Sequence, residues 1–159
     1  MMGTGEWFPE KRCTILLVED AFDSREMYAF FLRAAGYAVH EAADGGEALA
    51  MALEFRPDVI VMDLSLPSMD GLTAISRLSG NPETGRIPVV VLSAHTFPSD
   101  EKCAREAGAA AFLAKPCPPD QLARTVRQVS EGCDRAFATI PSDLSTVNTA
   151  PQTGPTSVP

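Results

Sequence analysis

Short apolar runs alternate with amphipathic stretches five times along this chain, and that alternation restricts its fold more than any other feature. Residues 14–18, Thr-Ile-Leu-Leu-Val, form a continuous apolar run of the length expected for a strand buried on both faces. Met27, Phe30, Phe31 and Ala34 then recur at i, i+3, i+4 and i+7, which predicts one buried face of a helix. Asp23 and Glu26 sit three apart at its start as a capping pair, and Gly36 ends it. Residues 37–42 read as a second, shorter strand. Asp44 and Glu47 repeat the capping spacing before an apolar stripe of Ala48, Leu49, Ala52 and Phe55, and Pro57 stops that helix. The cycle recurs with a strand over 58–62 and a helix over 71–80 marked by Leu72, Ile75 and Leu78. A strand over 87–92 follows, then a less apolar helix over 99–107 ended by Gly108. A fifth strand covers 110–114, and Leu122, Val126 and Val129 mark a last helix entered through Pro118 and Pro119. Strict strand–helix alternation implies a doubly wound α/β fold, a five-stranded parallel sheet with helices on both faces.

The chain has 159 residues, enough for one such domain. Residues 13–133 read as that domain, 1–12 as a short leader, and 134–159 as a flexible tail rich in Pro, Ser and Thr without helical or strand period. Trp7 and Phe8 of the leader are candidates to tuck onto the domain. A net charge of −8 argues against direct nucleic-acid binding and against anionic lipid surfaces. No apolar run is long enough to span a membrane, and residues 1–12 lack the core of a signal peptide, so the expected compartment is the cytoplasm. Cys13, Cys103, Cys117 and Cys133 contain no C-x-x-C pair, and only His40 and His95 accompany them. A zinc site is therefore excluded, and free thiols are expected.

In a parallel α/β sheet, ligands bind outside the carboxyl ends of the strands. Here those ends carry Glu19-Asp20 after the first strand, Asp63 after the third, Ser93 after the fourth and Lys115-Pro116 after the fifth. Each alone is unremarkable, because acidic residues, serines and lysines are common where strands run into solvated loops. Together they assemble three carboxylates, a hydroxyl and an ammonium at one sheet edge. Carboxylates about 4–5 Å apart repel by roughly 3–4 kcal/mol per pair at an effective dielectric near 20. A cation relieves that repulsion, and an oxygen-only site with few protein ligands suits Mg²⁺. A metal, a lysine and a hydroxyl around one carboxylate stabilise a transferring phosphoryl group, which makes Asp63 the candidate nucleophile.

At this point the chain resembles a response-regulator receiver domain of two-component signalling, the family of the chemotaxis response regulator. The resemblance rests on Ile-Leu-Leu-Val-Glu19-Asp20, Met62-Asp63-Leu-Ser-Leu-Pro67-Ser-Met-Asp70-Gly71, Val-Leu-Ser93-Ala94 and Ala-Lys115-Pro116. It implies a flavodoxin-like fold with strand order 2-1-3-4-5. It implies Asp63 as phosphoacceptor, Asp20 as direct Mg²⁺ ligand, Glu19 acting on the metal through water, and the Leu64 backbone carbonyl as a further ligand. Ser93 matches the switch hydroxyl, Lys115 the phosphoryl-pairing lysine with a cis bond to Pro116, and Phe112 the switch aromatic. Pro67 and Gly71 shape the loop after Asp63. Ser65 and His95, two residues beyond Asp63 and Ser93, border the path of an attacking water. Cys117 departs from the pattern, since Phe commonly follows the Lys-Pro pair.

The resemblance implies phosphorylation by a histidine kinase or histidine phosphotransfer protein, a downstream protein target, and a monomer or weak dimer. The tail holds no output domain, so a stand-alone regulator is expected; a fragment of a longer regulator or hybrid kinase is the alternative. A nucleotide-binding α/β domain would need a glycine-rich turn where Glu19-Asp20-Ala21-Phe22 stands. A haloacid-dehalogenase-type phosphatase would carry its nucleophile after the first strand in an Asp-x-Asp pattern. A degenerate receiver that only docks a partner would lack some of the acid, hydroxyl or lysine positions, all of which are filled. His40 in a strand and His95 in a loop do not suit phosphotransfer histidines.

Overall fold

The computed structural model describes residues 12–67 and 69–130. The leader apart from Arg12, the 134–159 tail, Cys133 and the placement of Trp7 and Phe8 lie outside them. Among the described residues, ten elements alternate: β1 (Thr14–Val18), α1 (Phe22–Ala34), β2 (Ala38–Ala42), α2 (Gly45–Phe55), β3 (Val59–Asp63), α3 (Gly71–Gly80), β4 (Val89–Ser93), α4 (Pro98–Ala107), β5 (Ala111–Ala114) and α5 (Pro119–Val129). The strands are parallel in the order β2-β1-β3-β4-β5, as expected. The strand order reverses at β1 and β3, so a crevice opens beyond their carboxyl ends. Among the described residues no helix is long and apolar enough to cross a membrane.

Side-chain alternation along each strand divides the core in two. Ile15, Leu17, Val59, Val61, Val90 and Leu92 pack beneath α1 and α5, against Tyr28, Ala29, Leu32, Leu122 and Val126. Leu16, Val18, Ile60, Met62, Val89 and Val91 face Ala48, Ala52, Ala74, Ile75, Leu78 and Ala104 of α2, α3 and α4. The two faces explain why the central strands read as unbroken apolar runs.

Helix starts follow local chemistry only in part. The Asp44 side chain caps α2 by accepting from the Glu47 N–H at 2.8 Å, and Glu47 reaches back to the Ala43 N–H at 2.9 Å. Asp70 caps α3 through the Thr73 N–H at 2.8 Å. For α1 the expectation of an Asp23–Glu26 box is corrected: the cap residue is Ala21, and its side chain makes no capping bond. The predicted α1 stripe is corrected too. Met27 is 44% exposed and Phe30 75%, whereas Tyr28, Ala29 and Leu32 are buried. The buried face lies one residue along, because the sheet takes the stripe that includes Tyr28 and Leu32. Phe55 of α2 is likewise largely outside the core, stacked on His40 with ring centroids 4.0 Å apart. The free-thiol expectation holds for Cys103 and Cys117, but Cys13 is disulfide-bonded. Pairing of that kind depends on spatial approach that linear spacing does not reveal.

Gly71 marks the tightest junction. A Cβ there would stand 2.6 Å from the Leu64 Cα and 2.7 Å from the Asp63 carbonyl oxygen, both backbone atoms. Only glycine lets α3 start this close to the end of β3. Gly71→Ala is therefore expected to lower the urea midpoint with an unchanged m-value, by about 1–3 kcal/mol in unfolding free energy. An unaltered midpoint would show that the loop accommodates the methyl group at no cost.

Candidate functional site

The register brings the strand ends together. Val18 pairs with Met62, Asp63 with Leu92, and Ser93 with Ala114, so the residues at or just past these positions share one edge. Glu19, Asp63 and Lys115 each continue the odd-numbered positions that face α1 and α5. Asp20 and Ser93 continue the positions that face α2, α3 and α4 instead.

The carboxylates of Glu19, Asp20 and Asp63 each present an oxygen, and these oxygens lie within 4.8 Å of one another. Glu19 and Asp63 are buried, at 1% and 4% exposure, while Asp20 is exposed. The Lys115 ammonium bridges the two buried acids, donating to Glu19 Oε1 at 2.7 Å and to Asp63 Oδ2 at 3.0 Å. Glu19 Oε2 accepts from the Ala21 N–H at 3.2 Å, and Asp63 Oδ1 from the Ser65 N–H at 3.0 Å. Burial pushes Glu19 above the ordinary carboxylate range, helped by the neighbouring Asp63 charge and opposed by Lys115. Burial works against the charge on Lys115, but its hydrogen bonds to Glu19 and Asp63 outweigh this and raise its pKa. The lysine thus stays cationic.

The remaining residues singled out in the sequence fall around this cluster. The Lys115–Pro116 bond is cis, and the Lys115 N–H donates to the Ser93 carbonyl at 2.8 Å. Ser93 is fully buried. Its hydroxyl donates to the His95 carbonyl at 2.8 Å and accepts from the His95 N–H at 3.0 Å. It is therefore held within its own turn. Phe112 is half-buried against the core under α2, α3 and α4. Ser65 and His95 are exposed beside the crevice. The Leu64 carbonyl lies in the loop between β3 and α3. It accepts from the Leu66 N–H at 3.2 Å and the Gly71 N–H at 3.0 Å.

Two residues of this neighbourhood were not apparent from the sequence. Arg25 of α1 donates from Nη1 to the Glu19 carbonyl at 2.8 Å and from Nε to Glu41 at 3.2 Å. Tyr28 of α1 donates its hydroxyl to the Cys117 carbonyl at 3.0 Å. Both contacts join residues from separate elements, so neither periodicity nor motif spacing discloses them.

A model of the response regulator receiver domain matches residues 15–127. The polar-differentiation response regulator DivK of Brucella anthropi is 32% identical over 114 residues, which cover 72% of this chain and 93% of that protein. The chain spans only 14% of the length of one curated relative and 50% of another. Among solved structures, the chemotaxis response regulator CheY4 of Vibrio cholerae is 34% identical with a TM-score of 0.71, covering 75% of this chain and 99% of that one. The receiver domain of a sensor histidine kinase from Pseudomonas aeruginosa, with a magnesium ion coordinated in its active site cleft, is 32% identical with a TM-score of 0.71, covering 76% of this chain and 99% of that one. The family match runs from β1 into α5, through every strand of the sheet, and the chain belongs to the response regulator receiver domain family.

Proposed function

We propose that this chain is a phosphoacceptor switch of a two-component phosphorelay, modified at Asp63 by a histidine kinase or histidine phosphotransfer protein. The observation that carries this reading is the Lys115 ammonium held between two buried carboxylates, beside a third, at the switch point of the sheet. In the transfer, a carboxylate oxygen of Asp63 attacks the phosphorus of a phosphohistidine. An O–P bond forms, the P–N bond breaks, and the electron pair returns to the imidazole, which takes up a proton. Lys115 would pair with a phosphoryl oxygen, a role supported by its 3.0 Å contact with Asp63.

The acidic cluster fits a small divalent cation, because three oxygens converge within 4.8 Å without any sulfur or nitrogen ligand. Asp20 and Asp63 would hold Mg²⁺ directly, with the Leu64 backbone carbonyl as a further ligand, and Glu19 through water. Bound there, the ion would supply charge neutralisation for the phosphoryl oxygens. Ser93 and Phe112 would report the modification to a downstream protein target, with residues 13–133 acting as the receiver and no nucleic acid bound directly. We place this activity in the cytoplasm, as a stand-alone regulator, monomeric or weakly dimeric. DivK, matched over 93% of its own length, supports the stand-alone reading.

Three outcomes follow. Asp63→Asn should take up no acid-labile phosphoryl label from acetyl phosphate or a phosphorylated kinase, and undiminished label would refute the assignment. Asp20→Asn should weaken Mg²⁺ binding by about tenfold or more, and Glu19→Gln by less, because direct ligation contributes more than ligation through water. The reverse order in a Mg²⁺ titration would exchange their roles. Ser93→Ala should still accept the phosphoryl group yet show reduced NMR shifts around Phe112 on addition of beryllofluoride. Shifts equal to wild type would separate Ser93 from the switch.

A further inference from the structure

The segment from Lys115 to Pro119 is poor in the means to hold itself. Pro116, Pro118 and Pro119 have no N–H, so only Lys115 and Cys117 can donate from the backbone. The Lys115 N–H is used on the Ser93 carbonyl, which fixes the upstream end. The downstream end is met by α1. Tyr28, 4% exposed, donates its hydroxyl to the Cys117 carbonyl at 3.0 Å across 89 residues of sequence. Cys117 is itself 4% exposed and shares a core with Tyr28, Ala29, Leu122 and Val126. Burial raises the Tyr28 phenol above its ordinary pKa, so it remains a donor through neutral pH.

One turn away on the same helix, Arg25 holds the Glu19 carbonyl at 2.8 Å. Two α1 side chains three residues apart thus grip two backbone carbonyls. One belongs to Glu19, and the other lies two residues beyond Lys115. Glu19 and Lys115 are the partners of the 2.7 Å ion pair. We infer that Tyr28 is a positioning residue for Lys115: its hydroxyl, through the Cys117 carbonyl, fixes the lysine segment at the distance from α1 that puts the ammonium on Asp63. This rests on the phosphoacceptor reading given above and adds to it a residue that touches neither the phosphoryl group nor the metal. Small displacements of a catalytic group are costly, so a single buried hydrogen bond suffices to matter.

The experiment uses the full chain in four forms: wild type, Tyr28→Phe, Lys115→Ala and the double variant. Phenylalanine keeps the ring in the core and removes only the donor. Thermal unfolding, Mg²⁺ affinity, the rate of Asp63 phosphorylation by saturating acetyl phosphate, and the Lys115 side-chain NMR resonances are recorded. Tyr28→Phe is expected to fold, to bind Mg²⁺ within about twofold of wild type, and to be phosphorylated on the order of tenfold more slowly. Its Lys115 resonances should shift before any phosphodonor is added. In the Lys115→Ala background the same substitution should change the rate by less than about twofold, because the group it positions is gone. A wild-type rate in Tyr28→Phe overturns the inference. So does an equal slowing in both backgrounds, or loss of the fold, since the hydroxyl then serves stability rather than placement. If wild type takes up no phosphoryl group, the functional reading fails, and the Lys115 resonances alone decide whether Tyr28 places the lysine.

Discussion

Three carboxylate oxygens within 4.8 Å of one another are a standing electrostatic cost, and the Lys115 ammonium between Glu19 and Asp63 is what makes the cost bearable. At an effective dielectric near 20, each like-charged pair at that distance opposes folding by roughly 3–4 kcal/mol. Two of the acids are also almost fully removed from water. The cluster persists because the lysine reaches both buried acids and because backbone N–H groups of Ala21 and Ser65 take up further oxygens. What remains unbalanced is visible in Glu19, whose pKa stays raised by burial despite the lysine. A site kept short of positive charge in this way is primed for a cation.

The fold supplies that arrangement by parity. The positions that face α1 and α5 run 15 and 17 along β1, 59 and 61 along β3, and 111 and 113 along β5. One more step along each leads to Glu19, Asp63 and Lys115. The apolar contacts that bury the sheet therefore aim the acids and the amine at one another. A slip of one residue in any strand would turn its charged terminus to the opposite face. Core packing and site geometry are for this reason a single constraint, and α1 contributes to both through Arg25 and Tyr28.

Much of this was legible in the sequence, and the reason is local. Strands such as Thr14–Val18 and Val59–Asp63 announce themselves as apolar runs, and the residues that end them are fixed by adjacency alone. Strand ends shift slightly where local chemistry intervenes: β4 begins at Val89, after Pro88, and ends on Ser93 itself. Features that depend on three-dimensional approach were not legible. The stripe chosen for α1 was displaced because Met27, Phe30 and Phe31 are as apolar as the face that is buried, and only the sheet decides between them. The Leu64 carbonyl accepts from the Gly71 N–H at 3.0 Å, a loop bond that adjacency in sequence does not show. Tyr28 was indistinguishable from any other core aromatic until its hydroxyl was found against Cys117.

Under the proposed function, Ser93 would be the point at which the site switches. Its hydroxyl is not idle, since it both donates to and accepts from the backbone of His95. A phosphoryl oxygen on Asp63 must therefore offer more than these two local bonds before the hydroxyl leaves them. A charged acceptor does so, because hydrogen bonds to ionised oxygens are roughly twice as strong as neutral ones. The modification can move the equilibrium only by that difference. The local bonds hold the hydroxyl in its turn, and under the proposed function they would yield when the acceptor becomes an anionic phosphate. Lys115 is in the opposite situation, already bonded to Asp63, and on the proposed reading it would need only to follow the new oxygens. Lys115 is held on Asp63 and the Ser93 hydroxyl is held in its own turn, so under the proposed function a signal would travel from β3 toward Ser93 and the half-buried Phe112 on β5.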